Sequence, residues 1–114
     1  VRVSTFNDDP VLMTTSWNAT LTALLDFSPS GLIVHVRSNP GGSGMVAQQF
    51  DGSFYQRSFK LGDNEMRDAD GALSSFPITV DPGAVQWNGT PVAILIDQHC
   101  ASACEIFSAA MARS

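Results

Sequence analysis

The chain has 114 residues and a mass of 12.2 kDa, which leaves room for one modest hydrophobic core and excludes two ordinary domains. Hydrophobic residues make up 44% and charged residues only 15%, a balance that excludes a disordered chain. Eleven acidic residues against six basic ones give a net charge of −5, which argues against a basic patch for nucleic acid or anionic membranes; Lys60 is the only lysine. Along the chain, Val1 to Phe6 alternates apolar and polar residues and reads as a strand with one buried face. Leu12 to Phe27 places Leu12, Trp17, Leu21, Leu24, Leu25 and Phe27 mostly at three- and four-residue intervals, which predicts a helix stopped by Ser28-Pro29-Ser30-Gly31. Leu32 to Arg37 is almost continuously apolar and β-branched, the pattern of a parallel strand covered on both faces.

Asn39-Pro40-Gly41-Gly42-Ser43-Gly44 interrupts regular structure, and Met45 to Phe50 predicts a short helix. Ser53 to Leu61 has a strand-like context. Gly62 to Gly71, with Asp63, Glu65, Asp68 and Asp70, reads as a mobile acidic loop, and Phe76 to Val80 as another strand. Turns at Asp81-Pro82-Gly83 and Gly89-Thr90-Pro91 precede a second buried strand, Val92 to Asp97. A last helix begins around Ala101 to Ala103 and carries Ile106, Phe107, Ala110 and Met111 toward the core. The order strand, helix, strand implies a right-handed crossover, hence an α/β fold with a mainly parallel sheet. No apolar run reaches the roughly 18 residues of a membrane span. Both ends read as cut within elements, which is the expectation for part of a longer protein.

The two strongest strands each run into a turn of small residues. In a parallel sheet, ligands bind at the carboxyl ends of strands, so if these strands are neighbours the two turns share one crevice. Gly41 and Gly42 leave backbone N–H groups uncovered, and Ser102 stands where the second strand hands over to a helix, with the Ala103 N–H at the positive end of that helix. Such N–H groups can hold a developing oxyanion while a serine attacks a carbonyl. The simpler alternative is a glycine turn and a serine N-cap.

Gly31 to Gly42 (Gly-Leu-Ile-Val-His-Val-Arg-Ser-Asn-Pro-Gly-Gly), followed by Pro91 to Ala110 with Cys100-Ala-Ser102-Ala-Cys104-Glu105-Ile, resembles the tail-specific or carboxyl-terminal-processing serine proteases over nearly the whole chain. The resemblance implies a crotonase- and Clp-protease-like ββα superhelix, of which residues 1–114 are a partial catalytic core domain. It implies Ser102 as nucleophile, with the oxyanion held by the backbone N–H of Ala103 and of Gly41, Gly42 being the alternative to Gly41. Polypeptide is the implied substrate, and no cofactor or metal is implied. The family's lysine base stands about two dozen residues past the serine, beyond Ser114, so the isolated segment is expected to be inactive. Some relatives use a histidine and a glutamate instead.

Cys100 and Cys104 replace serines of the usual motif, and their spacing of four points to packed thiols, with a catalytic thiol as the minor alternative. His35 replaces an aspartate and reads as a satisfied core histidine. Lys60, without a motif around it, and His99, three residues before Ser102, are weak candidates for the base, while Glu105 reads as a helix cap. Asn18 and Asn88 begin Asn-x-Thr triplets, which are glycosylation acceptors only in an exported eukaryotic protein. Two alternative functions stand beside the peptidase: a non-catalytic peptide-binding module, and acyl-CoA chemistry on the same scaffold. Export to a periplasm or the cell exterior is an open expectation, and the sequence is silent on oligomeric state.

Overall fold

An aspartate followed by a proline opens the first helix, α1 (Pro10–Leu25): Asp9 Oδ1 accepts the Leu12 N–H at 2.8 Å, and Pro10, with no N–H to leave unsatisfied, takes the first position. The computed structural model describes residues 1–87 and 89–113. After α1 come β1 (Leu32–His35), α2 (Gly44–Asp51), a 3₁₀ turn (Gly52–Phe54), β2 (Phe59–Arg67), β3 (Leu73–Val80), β4 (Val92–Leu95) and α3 (Ala103–Met111). The helix ends at Leu25, so Phe27 of the expected stripe lies beyond it; Phe27 and Leu12 are exposed, and of that stripe α1 fully buries Trp17 and Leu21.

β1 and β4 are adjacent and parallel, in register from Leu32↔Val92 to His35↔Leu95. The amino-terminal segment lies along the other side of β1. The His35 N–H donates to Val1 O at 2.8 Å and the Val3 N–H to His35 O at 2.9 Å, but only isolated parallel bridges form, Arg2↔His35 and Phe6↔Gly42. The expected first strand is therefore an extended segment that follows β1 into the glycine turn. β1 and β4 were expected to be covered on both faces. Among the described residues one face is covered and the other is open, with Ile33 of β1 56% and Leu95 of β4 39% exposed. A continuous apolar run records what a strand can bury and cannot count the layers present.

On the covered face, Val34 and Val36 pack with Val46, Phe50 and Phe107 into a single core. Trp17 stacks on Phe50 with ring centroids 4.4 Å apart, and its indole N–H donates to Ser53 Oγ at 3.0 Å, so the one polar atom it buries is satisfied. Phe6 stands edge-on to Phe50 at 5.6 Å and reaches Phe107 at 5.9 Å. Aromatic packing thus joins the amino-terminal segment, α1, α2 and α3.

The acidic stretch is the clearest correction. Residues 62–71 are not a mobile loop: β2 continues through them to Arg67 and pairs antiparallel with β3, from Phe59↔Val80 to Arg67↔Leu73, with a bulge between Lys60 and Gly62. Asp68 makes the turn, its Oδ1 accepting the N–H groups of Asp70 (3.1 Å) and Ala72 (2.8 Å). Most of this hairpin is exposed on both faces. A two-sided polar strand has no apolar alternation to read.

Asp51, at the end of α2, is fully buried, and neither carboxylate oxygen has a hydrogen-bond partner among the described residues. Burial raises its pKa from 3.8 to about 9. The folded state therefore keeps a proton that the unfolded state releases above its ordinary pKa. The resulting stability is full in acid and declines as pH rises between those two values. Asp51→Asn removes the titration. Relative to the parent, its unfolding free energy is expected to rise with pH by up to about 1.4 kcal/mol per unit. Urea denaturation from pH 5 to 8 measures this, and parallel curves for the two proteins would refute it.

Candidate active site

The parallel pair ends in two turns held against each other. Past β1, the Val36 N–H still reaches Leu95 O at 2.9 Å, after which Ser38 turns the chain with φ +61°. Asp97 closes the gap between the turns. Its Oδ1 accepts the Ser38 N–H at 2.9 Å and the His99 N–H at 3.0 Å, and its Oδ2 accepts the Ser38 hydroxyl at 3.2 Å. The Ser38 backbone N–H holds the Asp97 carboxyl below its ordinary pKa, so this tie is present above the usual carboxylate range and is lost on acidification through the lowered value.

Asn39, fully buried, ties three segments. Its Nδ2 donates to Val3 O at 3.1 Å, its Oδ1 accepts the Gly41 N–H at 2.8 Å, and its carbonyl accepts the Ala101 N–H at 3.2 Å. The motif named Asn39, but its role as a clip depends on contacts that sequence spacing does not show. Asn39→Ala leaves the Gly41 N–H and Val3 C=O without their partner. At about 1–3 kcal/mol per unsatisfied buried group, a loss of about 2–4 kcal/mol is expected in chemical denaturation. A loss under 1 kcal/mol would show that water takes over both bonds.

The predicted site residues come together. Gly41 has φ +97°, and a Cβ built on it would lie 2.5 Å from Ala101 O, 2.8 Å from Ser102 Cβ and 3.0 Å from Ala103 N. Only glycine lets the first turn press this closely against the second. Ser102 is exposed and has φ +55°, ψ −118°, unusual for a residue with a side chain. Glu105 fixes it by accepting the Ser102 N–H on Oε2 at 2.7 Å, the capping role expected of it. Ala103 opens α3, so its N–H has no acceptor within the helix. The Gly41 N–H is already engaged by Asn39. Gly42 differs: in its parallel bridge Phe6 bonds to Gly41 O and to the Ser43 N–H, which leaves the Gly42 N–H facing away from Phe6.

Cys100 and Cys104 are not the packed thiols expected. They form a disulfide across the serine turn, with Cα atoms 5.4 Å apart. Cys100 lies before the helix, on a turn that folds back toward Cys104, a geometry that a spacing of four read as helix does not anticipate. His35 is not a core residue either. It lies on the open side of β1, where its Nε2 accepts the Arg37 Nε–H at 3.0 Å, and partial burial together with the neighbouring Arg37 and Arg2 lowers its pKa. Lys60 Nζ is paired with Asp63 Oδ2 at 2.8 Å, and exposed His99 lies with its Nε2 3.3 Å from Gln98 Nε2. Asn18 sits within α1 beside buried Trp17, and Asn88 lies outside the described residues.

Beside Ser102 the β2–β3 hairpin and α3 border an open recess of about 590 Å³, with Leu61, Ile78, Ile106 and Ala109 as its apolar lining and Asp63 and Glu105 among its polar residues. A second groove of about 420 Å³ runs between the amino-terminal segment and α1 and contains none of the predicted site residues. Among the described residues no helix is long and apolar enough to cross a membrane, and no group of three or more His, Cys, Asp or Glu side chains is placed to hold a metal ion.

A small mixed α/β domain whose crevice lies at the carboxyl ends of adjacent parallel strands is therefore the class that fold and site define. The profile of peptidase family S41 matches residues 1–114, and the chain belongs to that family. Two solved structures share the fold. A putative peptidase from Parabacteroides merdae ATCC 43184 is 22% identical with a TM-score of 0.78, over 98% of this chain and 35% of that one. A photosystem II D1 C-terminal processing protease is 23% identical with a TM-score of 0.73, over 98% of this chain and 27% of that one. The chain thus spans between about a quarter and about a third of the length of these structures. A search of curated proteins finds no match.

Proposed function

We propose that residues 1–114 form the nucleophile-bearing core of a serine-type endopeptidase of the tail-specific kind, which cleaves polypeptides through an acyl-enzyme on Ser102. The observation that carries this reading is the pressing of the Gly41 backbone against Ser102 and the Ala103 N–H. It brings two motifs about sixty residues apart into one crevice.

In this reading Ser102 Oγ attacks the scissile carbonyl and the carbonyl oxygen becomes an oxyanion. Two N–H groups receive it, that of Ala103 and that of the glycine turn. Because Asn39 already takes the Gly41 N–H, the second donor is assigned to Gly42, and Gly41 serves by its close approach. The oxyanion gains from donors already held in place, which is where such sites obtain most of their rate. Collapse of the intermediate expels the amine and leaves the acyl group on Ser102 until water attacks. In this reading the base that takes the serine proton is the one the family supplies past Ser114: among the nearer candidates Lys60 is paired with Asp63, His35 accepts from Arg37, and His99 lies with its Nε2 against Gln98. The segment alone is then nearly inert, general-base assistance being worth about 10² to 10⁴ in rate.

The test is chemical. The full-length protein is treated with a fluorophosphonate, digested and mapped by mass spectrometry, and assayed on an unfolded polypeptide. A single adduct on Ser102, with cleavage lost in proportion, is expected. Cleavage that continues with Ser102 fully modified overturns the reading, and an unmodified, inactive protein that still binds peptide returns the function to a binding module.

A further inference from the structure

The Cys100–Cys104 disulfide closes around the serine turn, with Ala101, Ser102 and Ala103 between its two ends. Its position relative to the backbone is specific. Cys104 is fully buried in the core, its Sγ 3.6 Å from the carbonyl of Val36 at the end of the first parallel strand. Cys100 is partly exposed, its Sγ 3.6 Å from Ser108 Oγ one turn further along α3. The bridge therefore ties the part of the turn before Ser102 to an anchor in the core after it. Between these points the chain holds Ser102 at φ +55°, a conformation that relaxes unless its surroundings impose it. The other restraints on the turn are hydrogen bonds: Cys100 N–H to Asp97 O at 3.1 Å, Ala101 N–H to Asn39 O at 3.2 Å, and Ser102 N–H to Glu105 Oε2 at 2.7 Å. The disulfide is the one covalent restraint on the turn besides the backbone. A loop this short constrains the unfolded chain least, so the effect of the bridge falls on local geometry more than on global stability.

We infer that the Cys100–Cys104 disulfide is a positioning element for Ser102, and that its reduction reversibly disables the site. The inference rests on Ser102 being the nucleophile, as proposed above. The chemistry is ordinary thiol–disulfide exchange. A thiolate of a dithiol reductant attacks the accessible Cys100 sulfur, the S–S bond breaks, and Cys104 leaves as a thiolate that takes up a proton. The second thiol of the reductant then displaces Cys100, which is also protonated, and the reductant departs as its cyclic disulfide. Two electrons pass from reductant to protein. The turn is left with two small thiols in place of a ring, and Ser102 and the Ala103 N–H lose their fixed separation from the glycine turn.

The test uses the full-length protein, oxidised and after dithiothreitol, with the thiols counted by alkylation and mass spectrometry. Reduction is expected to lower kcat for peptide cleavage and the rate of fluorophosphonate labelling at Ser102 by about 10-fold or more, since misplacement by an ångström costs about that or more. KM and the far-UV circular dichroism should stay unchanged, and reoxidation should restore the rate. Cys100→Ala/Cys104→Ala should behave as the reduced protein and ignore dithiothreitol. Amide hydrogen exchange over residues 100–105 gives a readout that does not depend on activity and should quicken on reduction while β1 and α2 stay protected. Equal kcat and equal exchange with both thiols free would overturn the inference, as would unfolding of the whole domain on reduction, which assigns the bridge to global stability. Cleavage that persists unchanged in Ser102→Ala removes the nucleophile reading instead, and the exchange measurement still decides whether the bridge positions the turn.

Discussion

Ser102→Ala is expected to reduce kcat/KM for cleavage of an unfolded polypeptide by at least about 10³-fold, because without the hydroxyl no acyl-enzyme forms and only binding and oxyanion stabilisation remain. The loss should not come from unfolding. Glu105 accepts the Ser102 backbone N–H, which alanine keeps, so the change should cost no more than about 1 kcal/mol of helix capping. A companion variant separates chemistry from stability. At φ +55° glycine is at ease where serine is strained, so Ser102→Gly should be equally inactive yet more stable than the parent by about 1 kcal/mol. Thermal melts of the three proteins beside their activities check both statements. Residual activity within 10-fold of the parent in Ser102→Ala would remove Ser102 as the nucleophile.

Gly41→Ala should have the next largest effect, about 10²-fold or more in kcat/KM, through geometry alone. The added Cβ would fall 2.5 Å from Ala101 O, a backbone atom that cannot swing aside, so the two turns must separate. A displacement of this size at a reacting centre costs about 10²-fold, and the positive φ adds a conformational penalty of about 1–2 kcal/mol. Gly71→Ala is the control. It also has positive φ, +84°, but a Cβ there meets nothing within 4 Å at the tip of the β2–β3 hairpin. It should therefore show the conformational penalty without the loss of activity. If both variants lose activity equally, backbone strain and not the approach of the turns is responsible; if neither does, the proposed crevice is wrong.

The recess beside Ser102 shows how far local pattern reaches. Its α3 wall, Ile106 and Ala109, comes from a helix whose start and apolar face are legible from spacing, because a helix face is set by residues three and four apart. Its opposite wall, Leu61 and Ile78, lies in two stretches that read as strands, but the pairing that joins them runs on through the acidic stretch 62–67, which reads as a loop. That strand is held by pairing with β3 and by the Asp68 turn, and both of its faces meet solvent, so no local apolar period marks it.

By itself the sequence determined the two apolar strands, the helices after them, and the glycine and serine turns as the place where chemistry could sit. These follow from burial periodicity and from residue types that allow positive φ or cap a helix, all properties of a short stretch of chain. Tertiary structure alone decided that the strands are neighbours, that Gly41 meets Ser102, that Asn39 takes the Gly41 N–H, that His35 faces outward, and that Cys100 and Cys104 are bonded. Each of these depends on a distance between groups, most of them far apart in sequence, or on the direction a side chain takes at a turn. Packing sets those distances and directions, and a linear pattern does not contain them.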